Sequence, residues 1–430
     1  MALEPLALDL PTVVERPVMP AGFRAATTTA GIKSSGRPDL GVLATTGRPA
    51  SVAAAFTTNL VRAAPVMLSE AHLADSEPSG GGHWGHAAAV ISTSGCANAA
   101  TGPDGDADQL ALAEALAGTL GVEPGLTLAL STGLIGTRLP VGRVQAALPE
   151  LVGRLAASDE ALAALAEQMC TTDSRPKWAS STLEMLDRDG WPRTVTISGI
   201  AKGVGMIHPR MATMLALLLT DARVDPGVLH GMLSPAVERA WNQLTVDGDT
   251  STNDTVFLLA SGAAGATSPT LASPAAAQLA RGVMAVARSL ARQQAADGEG
   301  ATTLITCQVS GALDDDEARA VARAVVASSL VKAAIHGRDP NWGRIAAAAG
   351  NARRGDRPVT LSAERLAIGL AGTDVFRGRP LDFDAAAISR LMDAPEVLLR
   401  LDLGVGEGSG EAFGCDLSEQ YVVENSAYST

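Results

Sequence analysis

The chain of 430 residues carries 33 Lys and Arg against 46 Asp and Glu, a formal net charge of −13. That sign repels phosphate backbones, and with no Lys/Arg run to override it nucleic acid is excluded as a partner. Hydrophobic residues make up 47% of the sequence and aromatics 3%, which excludes disorder as the main state and calls for a core of Ala, Val and Leu.

At roughly 150 residues per domain the length fits two to three packed units. The first twenty residues hold Glu4, Asp9 and Glu15 where a secretory leader would be basic and then apolar, so a cytoplasmic protein is expected. Short apolar or β-branched runs predict strands at Ala88 to Ile91, Leu126 to Leu130, Thr194 to Ile200, Thr255 to Leu259 and Thr303 to Val309. Between them, apolar residues at three- and four-residue steps predict helices at Ala107 to Leu120, Gly142 to Ser158, Asp159 to Met169 and Asp315 to Val326. The alternation is that of an α/β protein. Asp159 after Ser158, and Asp314 to Glu317, place acidic side chains at helix starts.

Asp75 to His86 (DSEPSGGGHWGH) reads as a Gly-rich surface loop, in which His83 and His86 lack the Cys or carboxylate neighbours of a metal site. Cys96, Cys170, Cys307 and Cys415 are far apart and unpaired in spacing, as expected of buried free thiols. The apolar stretches Met211 to Leu219 and Ile345 to Ala349 fall well short of the roughly 20 residues that cross a bilayer, so no membrane association is expected.

Lys202 to Ala222 (KGVGMIHPRMATMLALLLTDA) is the most informative stretch. Its glycines lack the Gly-Lys-Ser/Thr ending of a phosphate loop. It does place Ala212 and Thr213 ahead of an apolar segment, where Thr would ordinarily be a helix cap. Cleavage before Thr213 would put a new α-amine, with a reference pKa near 7.7 to 8.0, beside the Thr213 hydroxyl, so that base and nucleophile share one residue.

Motifs in order along nearly the whole chain carry a resemblance. They are GFRAA (Gly22 to Ala26), AAFTTNLVRAAPV (Ala54 to Val66), STGLIG (Ser131 to Gly136), MCTTDSRPK (Met169 to Lys177), and KGVGM with MATML around Thr213. They continue with TVDGDTSTNDT (Thr245 to Thr255), DGEGAT (Asp297 to Thr302), DPNWGRI (Asp339 to Ile345), GCDL (Gly414 to Leu417) and the ending ENSAYST. On these the chain resembles the ornithine acetyltransferase (glutamate N-acetyltransferase) family of self-cleaving enzymes.

The resemblance implies a layered αββα sandwich, scission of the Ala212–Thr213 bond, an α chain of residues 1–212 and a β chain of 213–430, with the site at their junction. Thr213 is then the nucleophile of a ping-pong transfer. Thr132, through its hydroxyl, and Gly133, through its N–H, form the oxyanion hole. The substrate contacts carried over are Thr172, Lys202, Thr213, Glu299, Asn425 and Thr430. Lys202 suits an α-carboxylate and Glu299 an ammonium. A working role for Asn425 and Thr430 requires an ordered C-terminus where chains ordinarily fray.

The implied reaction moves an acetyl group from N2-acetyl-ornithine to glutamate in arginine biosynthesis. No cofactor or metal is implied; acetyl-CoA is a candidate second donor by analogy, with no CoA or nucleotide motif visible. Association of the two chains, and a homo-oligomer of αβ units, are expected. Trp342 and Arg344 fit a structural or subunit-contact role as well as a site role, and DGDTSTND is too loose a match to a calcium loop.

The chain departs from the family pattern at Thr93 and Cys96, where amides are usual, and at Val204, Arg210 and Thr303. Three other readings therefore stand beside acetyl transfer to glutamate. One is the same chemistry with altered amino-acid or acyl specificity in specialised metabolism. Another is an N-terminal-Thr amidohydrolase or aminopeptidase that uses water as acceptor. The last is an uncleaved scaffold or binding protein.

Overall fold

The computed structural model describes residues 3–208 and 214–427. A four-stranded sheet runs in the order Phe23–Thr28, Leu40–Thr45, Ala89–Cys96, Thr127–Leu134, with only the last pair parallel. Against it lies a six-stranded sheet ordered Trp84–Ala87, Ala50–Phe56, Thr255–Ala260, Leu215–Thr220, Pro192–Lys202, Lys177–Leu186. Leu43, Val90, Leu128 and Leu130 of the first meet Val52, Ile200, Leu217 and Phe257 of the second.

Helices close the outer faces. Gly102–Leu120 and Val141–Gly153 cover the first sheet through Leu112, Leu116, Val144 and Leu148. Pro226–Arg239 and Pro274–Ala296 cover the second through Leu229, Leu233, Val283 and Val286. The result is the helix–sheet–sheet–helix sandwich implied by the resemblance. Both faces of the inner sheets are covered, so their strands are uniform apolar runs, as in Leu215–Thr220 (LALLLT), where all six residues are buried.

A third sheet, in the order Leu244–Thr245, Gly408–Cys415, Leu304–Ala312, Glu396–Asp402, Ala367–Leu370, Thr373–Arg377, extends the molecule. Its own helices, Asp315–Ala327 and Trp342–Gly350, pack on it through Val321, Val325, Ile345 and Ala349. Helix Pro274–Ala296 joins it to the sandwich, for Arg288 and Arg292 each sit 5.6 Å from the centre of the Phe413 ring.

Three expectations are corrected. The helix foreseen over Gly142 to Ser158 ends at Gly153, because Ala156 exchanges two backbone hydrogen bonds with Ala25 at the edge of the first sheet. A second helix then starts at Asp159, with the Ser158 hydroxyl accepting the Ala161 N–H. The end of the Gly-rich stretch is not loop: Trp84–Ala87 pairs with Ala50 to Ala53, alternating half-buried Trp84 and His86 with buried Gly85 and Ala87. The apolar residues after Thr213 form a strand and not a helix, because their backbone pairs with Thr255–Ala260 on one side and Ile197–Lys202 on the other inside the second sheet.

All four cysteines are buried and free. Among the described residues no group of three or more His, Cys, Asp or Glu is placed to hold a metal ion, and no helix is long and apolar enough to cross a membrane.

Candidate active site

The site forms where adjacent strands end. Strand Pro192–Lys202 runs antiparallel to Leu215–Thr220, with Lys202 paired to Leu215, so the chain on either side of residue 213 returns to one edge of the sandwich. A cavity of about 240 Å³ opens there, lined by Thr132 and Gly133 from the first sheet, Thr171 and Thr172, Lys202, and Asn253, Glu299 and Asn425. It lies between the sandwich, the start of the third sheet and the C-terminal helix Glu419–Ala427.

Lys202 is 3% exposed, and its Nζ donates to Thr132 Oγ1 at 3.2 Å and Thr171 Oγ1 at 3.0 Å. An ammonium has no acceptor capacity, so Thr132 Oγ1 must accept, and its own hydrogen is left to donate elsewhere. Gly133 follows with φ of +129°, and a Cβ there would lie 2.3 Å from the Gly95 carbonyl carbon. Only glycine fits.

Beneath Lys202 lies a buried ionic network. Asp173 Oδ2 stands 3.8 Å from Lys202 Nζ, and Asp173 Oδ1 takes Lys177 Nζ at 2.5 Å and the Gly203 N–H at 2.8 Å. Lys177 also meets Asp297 at 2.5 Å. Burial pushes the Asp173 carboxyl up, but Lys202, Lys177 and the Gly203 N–H outweigh it and hold the group at about 2.

A folded-state value of about 2 lies below the unfolded carboxylate value near 3.9. The stabilisation is therefore complete above that unfolded value and is lost as pH falls through about 2. The expected loss is about 2 kcal/mol. Urea midpoints measured from pH 6 down to pH 2 should fall more steeply for the wild type than for Asp173→Asn, which starts lower.

Glu299 is gripped from two sides: Thr172 Oγ1 donates to Oε1 at 2.9 Å and Asn425 Nδ2 to Oε2 at 3.0 Å. Its backbone N–H donates to the Val204 carbonyl at 2.8 Å, and the carboxylate lies over Gly205, where a Cβ would stand 2.3 Å from Oε2. The cavity lining thus carries both a cation, Lys202, and an anion, Glu299. Asp247 lines the same cavity; burial pushes its carboxyl up to about 6 against donation from the Asp249, Ile207 and Met206 N–H groups.

Six of the residues singled out from sequence, Thr132, Gly133, Thr172, Lys202, Glu299 and Asn425, line this one cavity. Ala212, Thr213 and Thr430, with Arg210 among the departures, lie outside the described residues. Trp342 and Arg344 do not line the cavity: Trp342 stacks on Phe376 at 4.9 Å and Arg344 donates to the Leu330 carbonyl.

Of the other departures, Val204 reaches the cavity wall, while Thr93 bonds Ser131 Oγ at 2.8 Å behind the Thr132 strand. Cys96 donates to the Thr137 carbonyl, and the Thr303 N–H binds Asp416. Thr171, Asp173, Asp247 and the run Ser251 to Asp254 were not foreseen as site residues. A polar run, TSTND, directly ahead of the apolar strand Thr255–Ala260 was the available signal for the last of these.

Comparison with known proteins agrees. The ArgJ family's sequence pattern matches residues 24–430. "Arginine biosynthesis bifunctional protein ArgJ" of Synechococcus sp. is 45% identical over 421 residues, covering 96% of this chain and 96% of the relative. The protein of the same name from Thermus thermophilus is 44% identical over 412 residues, 96% of this chain and 99% of its own. A crystal structure of arginine biosynthesis bifunctional protein argJ from Bacillus halodurans is 39% identical, covering 49% of this chain and 98% of that one with a TM-score of 0.47. A pattern matched across 24–430 and relatives above 40% identity over nearly the full length make this chain an enzyme of the ArgJ family.

Proposed function

We propose that the protein cuts its own Ala212–Thr213 bond and then transfers an acetyl group from N2-acetyl-ornithine to glutamate through an ester on Thr213. The observation that carries this reading is the convergence of Thr132, Gly133, Lys202, Glu299, Thr172 and Asn425 on one cavity beside the strand that follows Thr213. Similarity to the arginine biosynthesis bifunctional proteins supports the substrate pair, as does the Mycobacterium tuberculosis relative described as an ornithine acetyltransferase complexed with ornithine.

In cleavage, the Thr213 hydroxyl oxygen attacks the Ala212 carbonyl carbon, the C–N bond breaks, and the nitrogen leaves as the new amine with its own hydrogen and the proton given up by the hydroxyl. Water then hydrolyses the ester, releasing the Ala212 carboxylate. The α and β chains stay together through sheet pairing, because Ile197 to Lys202 and Leu215 to Thr220 are hydrogen-bonded neighbours from either side of the cut.

In transfer, the α-amine of Thr213 takes the hydroxyl proton as oxygen attacks the acetyl carbonyl. The tetrahedral oxyanion is met by the Thr132 O–H, polarised by Lys202, and by the Gly133 N–H. Collapse expels the ornithine amine with that proton. The glutamate amine attacks the ester in turn and restores the Thr213 hydroxyl. With two of its three N–H bonds on Thr132 and Thr171, Lys202 keeps one for a substrate α-carboxylate, while Glu299 faces an ammonium.

Acetyl-CoA as a second donor rests on the relatives' description as bifunctional. Four buried, unpaired thiols fit a reducing cytoplasm.

Intact mass after incubation with N2-acetyl-ornithine tests the reading. Two chains beginning at Met1 and Thr213, with an acetyl increment on the latter that glutamate removes, are expected. Two chains without the increment point to another acyl donor, and steady acetate release without acceptor points to a hydrolase. Deleting residues 425–430 should leave cleavage intact but lower kcat/KM for transfer by about tenfold or more, since Glu299 loses a charge-assisted hydrogen bond worth roughly 1.5 to 3 kcal/mol. Unchanged kinetics would remove Asn425 and Thr430 from the site.

A further inference from the structure

Two consecutive residues hold both sides of the site. Asn253 is buried, and its Nδ2 donates to the Ala97 carbonyl at 2.7 Å and the Ser131 carbonyl at 2.9 Å. Its Oδ1 accepts the Thr252 hydroxyl, so both amide donors and one acceptor site are engaged and the group cannot rotate without loss. The Ser131 carbonyl belongs to the peptide that leads into Thr132. Gripping it fixes that planar unit, and with it the direction in which Thr132 and Gly133 leave the strand.

Asp254 does the same on the other side. Fully buried, its Oδ1 accepts the Met214 N–H at 3.0 Å, and the next residue, Thr255, donates its N–H to the Met214 carbonyl at 3.2 Å. Met214 directly follows Thr213 in the chain. The loop carrying both residues is itself anchored: Thr57 donates its hydroxyl to the Ser251 carbonyl at 2.6 Å and its N–H to the Asp254 carbonyl at 2.9 Å, and the Ala63 N–H binds the Thr252 carbonyl at 3.0 Å. Burial pushes the Asp254 carboxyl well above the usual carboxylate range, against the Met214 N–H, the Lys202 charge and the nearby Ser251 hydroxyl.

We propose that Asn253 and Asp254 are positioning residues that act as one clamp, setting the distance between the strand end bearing the oxyanion donors and the strand start that follows the nucleophile. Adjacent Cα atoms are 3.8 Å apart, so the clamp ties the two elements through a single rigid peptide unit. Errors of 1 Å in such a spacing cost about a hundredfold in rate. The clamp rests on the acyl-transfer reading above, since it has a catalytic purpose only if Thr213 and Thr132–Gly133 act on the same carbonyl.

The test is the rate of acetyl-Thr213 formation per acylatable site, followed by quenched intact mass with N2-acetyl-ornithine. Asn253→Ala and Asp254→Ala are each expected to slow it about a hundredfold, with KM changed less than about threefold. The double variant should be little slower than either single one, as for residues acting as a unit. Asp254→Asn, which keeps an oxygen for the Met214 N–H, should recover most of the rate lost in Asp254→Ala.

A role in folding alone would reduce the number of acylatable sites and the Tm but leave the rate per site unchanged. Rates within about threefold of wild type in both alanine variants would therefore overturn the clamp. Should either alanine variant fail to fold, Asn253→Ser decides: at least tenfold slower supports the clamp, within threefold refutes it. A wild-type chain that never acquires the acetyl increment overturns the acyl-transfer reading and the clamp together. A wild type that acylates normally beside unimpaired variants overturns the clamp alone.

Discussion

Thr213→Ala is expected to yield one uncut chain of 43.7 kDa with no acetyl transfer, where the wild type yields two chains. Both steps need the same hydroxyl oxygen, first against the Ala212 carbonyl and then against the acetyl donor, and alanine has none. Thr213 precedes the strand Leu215–Thr220 in the sequence, and that strand's six buried side chains and pairing on both edges are untouched by the exchange. The variant should therefore fold, with Tm within a few degrees of an uncut wild-type chain. Thr213→Ser should retain both steps. Denaturing electrophoresis, intact mass and a coupled assay for ornithine release are sufficient, and turnover in the alanine variant would end the nucleophile assignment. The effect is all or none for cleavage. For transfer it should exceed 10⁴-fold, since an oxyanion hole without a nucleophile has no intermediate to stabilise.

Much of the sandwich was legible because its signals are local. Thr255 to Leu259 reads as a strand and is one to within a residue, and Asp315 to Val326 ends one residue from the observed helix, its start marked by Asp314 accepting the Glu317 N–H. Where reading failed, a distant partner decided. Arg154 to Ser158 keeps a helical pattern in sequence, but the edge of Phe23–Thr28 offers Ala156 two backbone bonds from more than a hundred residues away. The segment after Thr213 is apolar enough for either helix or strand, and only its neighbours on both sides make it a strand. The cavity residues Thr172, Lys202, Glu299 and Asn425 were reached through the family resemblance. Their types alone would have read as solvated surface. Asn253 and Asp254 escaped because the polar run TSTND marks only a loop ahead of a strand, while their work is done on backbone carbonyl and N–H groups of distant segments that the run does not name.

Lys202→Met should lower the rate of acetyl-Thr213 formation by 10² to 10³-fold, roughly the 3 to 4 kcal/mol that an oxyanion-hole donor supplies. Methionine preserves length and apolar contact but removes three donors and a charge. Without the ammonium, Thr132 Oγ1 and Thr171 Oγ1 lose their bonds of 3.2 and 3.0 Å, and Thr132 is free to turn its hydrogen away from the developing oxyanion. Asp173 keeps Lys177 at 2.5 Å and the Gly203 and Thr171 N–H groups, so the buried carboxylate remains paired and the fold should persist. Its proton affinity should nonetheless rise, because Lys202 is the strongest of the influences holding it down at about 2, and acid unfolding should move to higher pH in the variant. The KM for N2-acetyl-ornithine separates two roles for the lysine. If it only paired a substrate carboxylate, KM would rise and kcat would stay. If it also polarises Thr132, kcat must fall at saturating donor, and that fall is the expected result, since the Lys202 contact to Thr132 is present without any substrate.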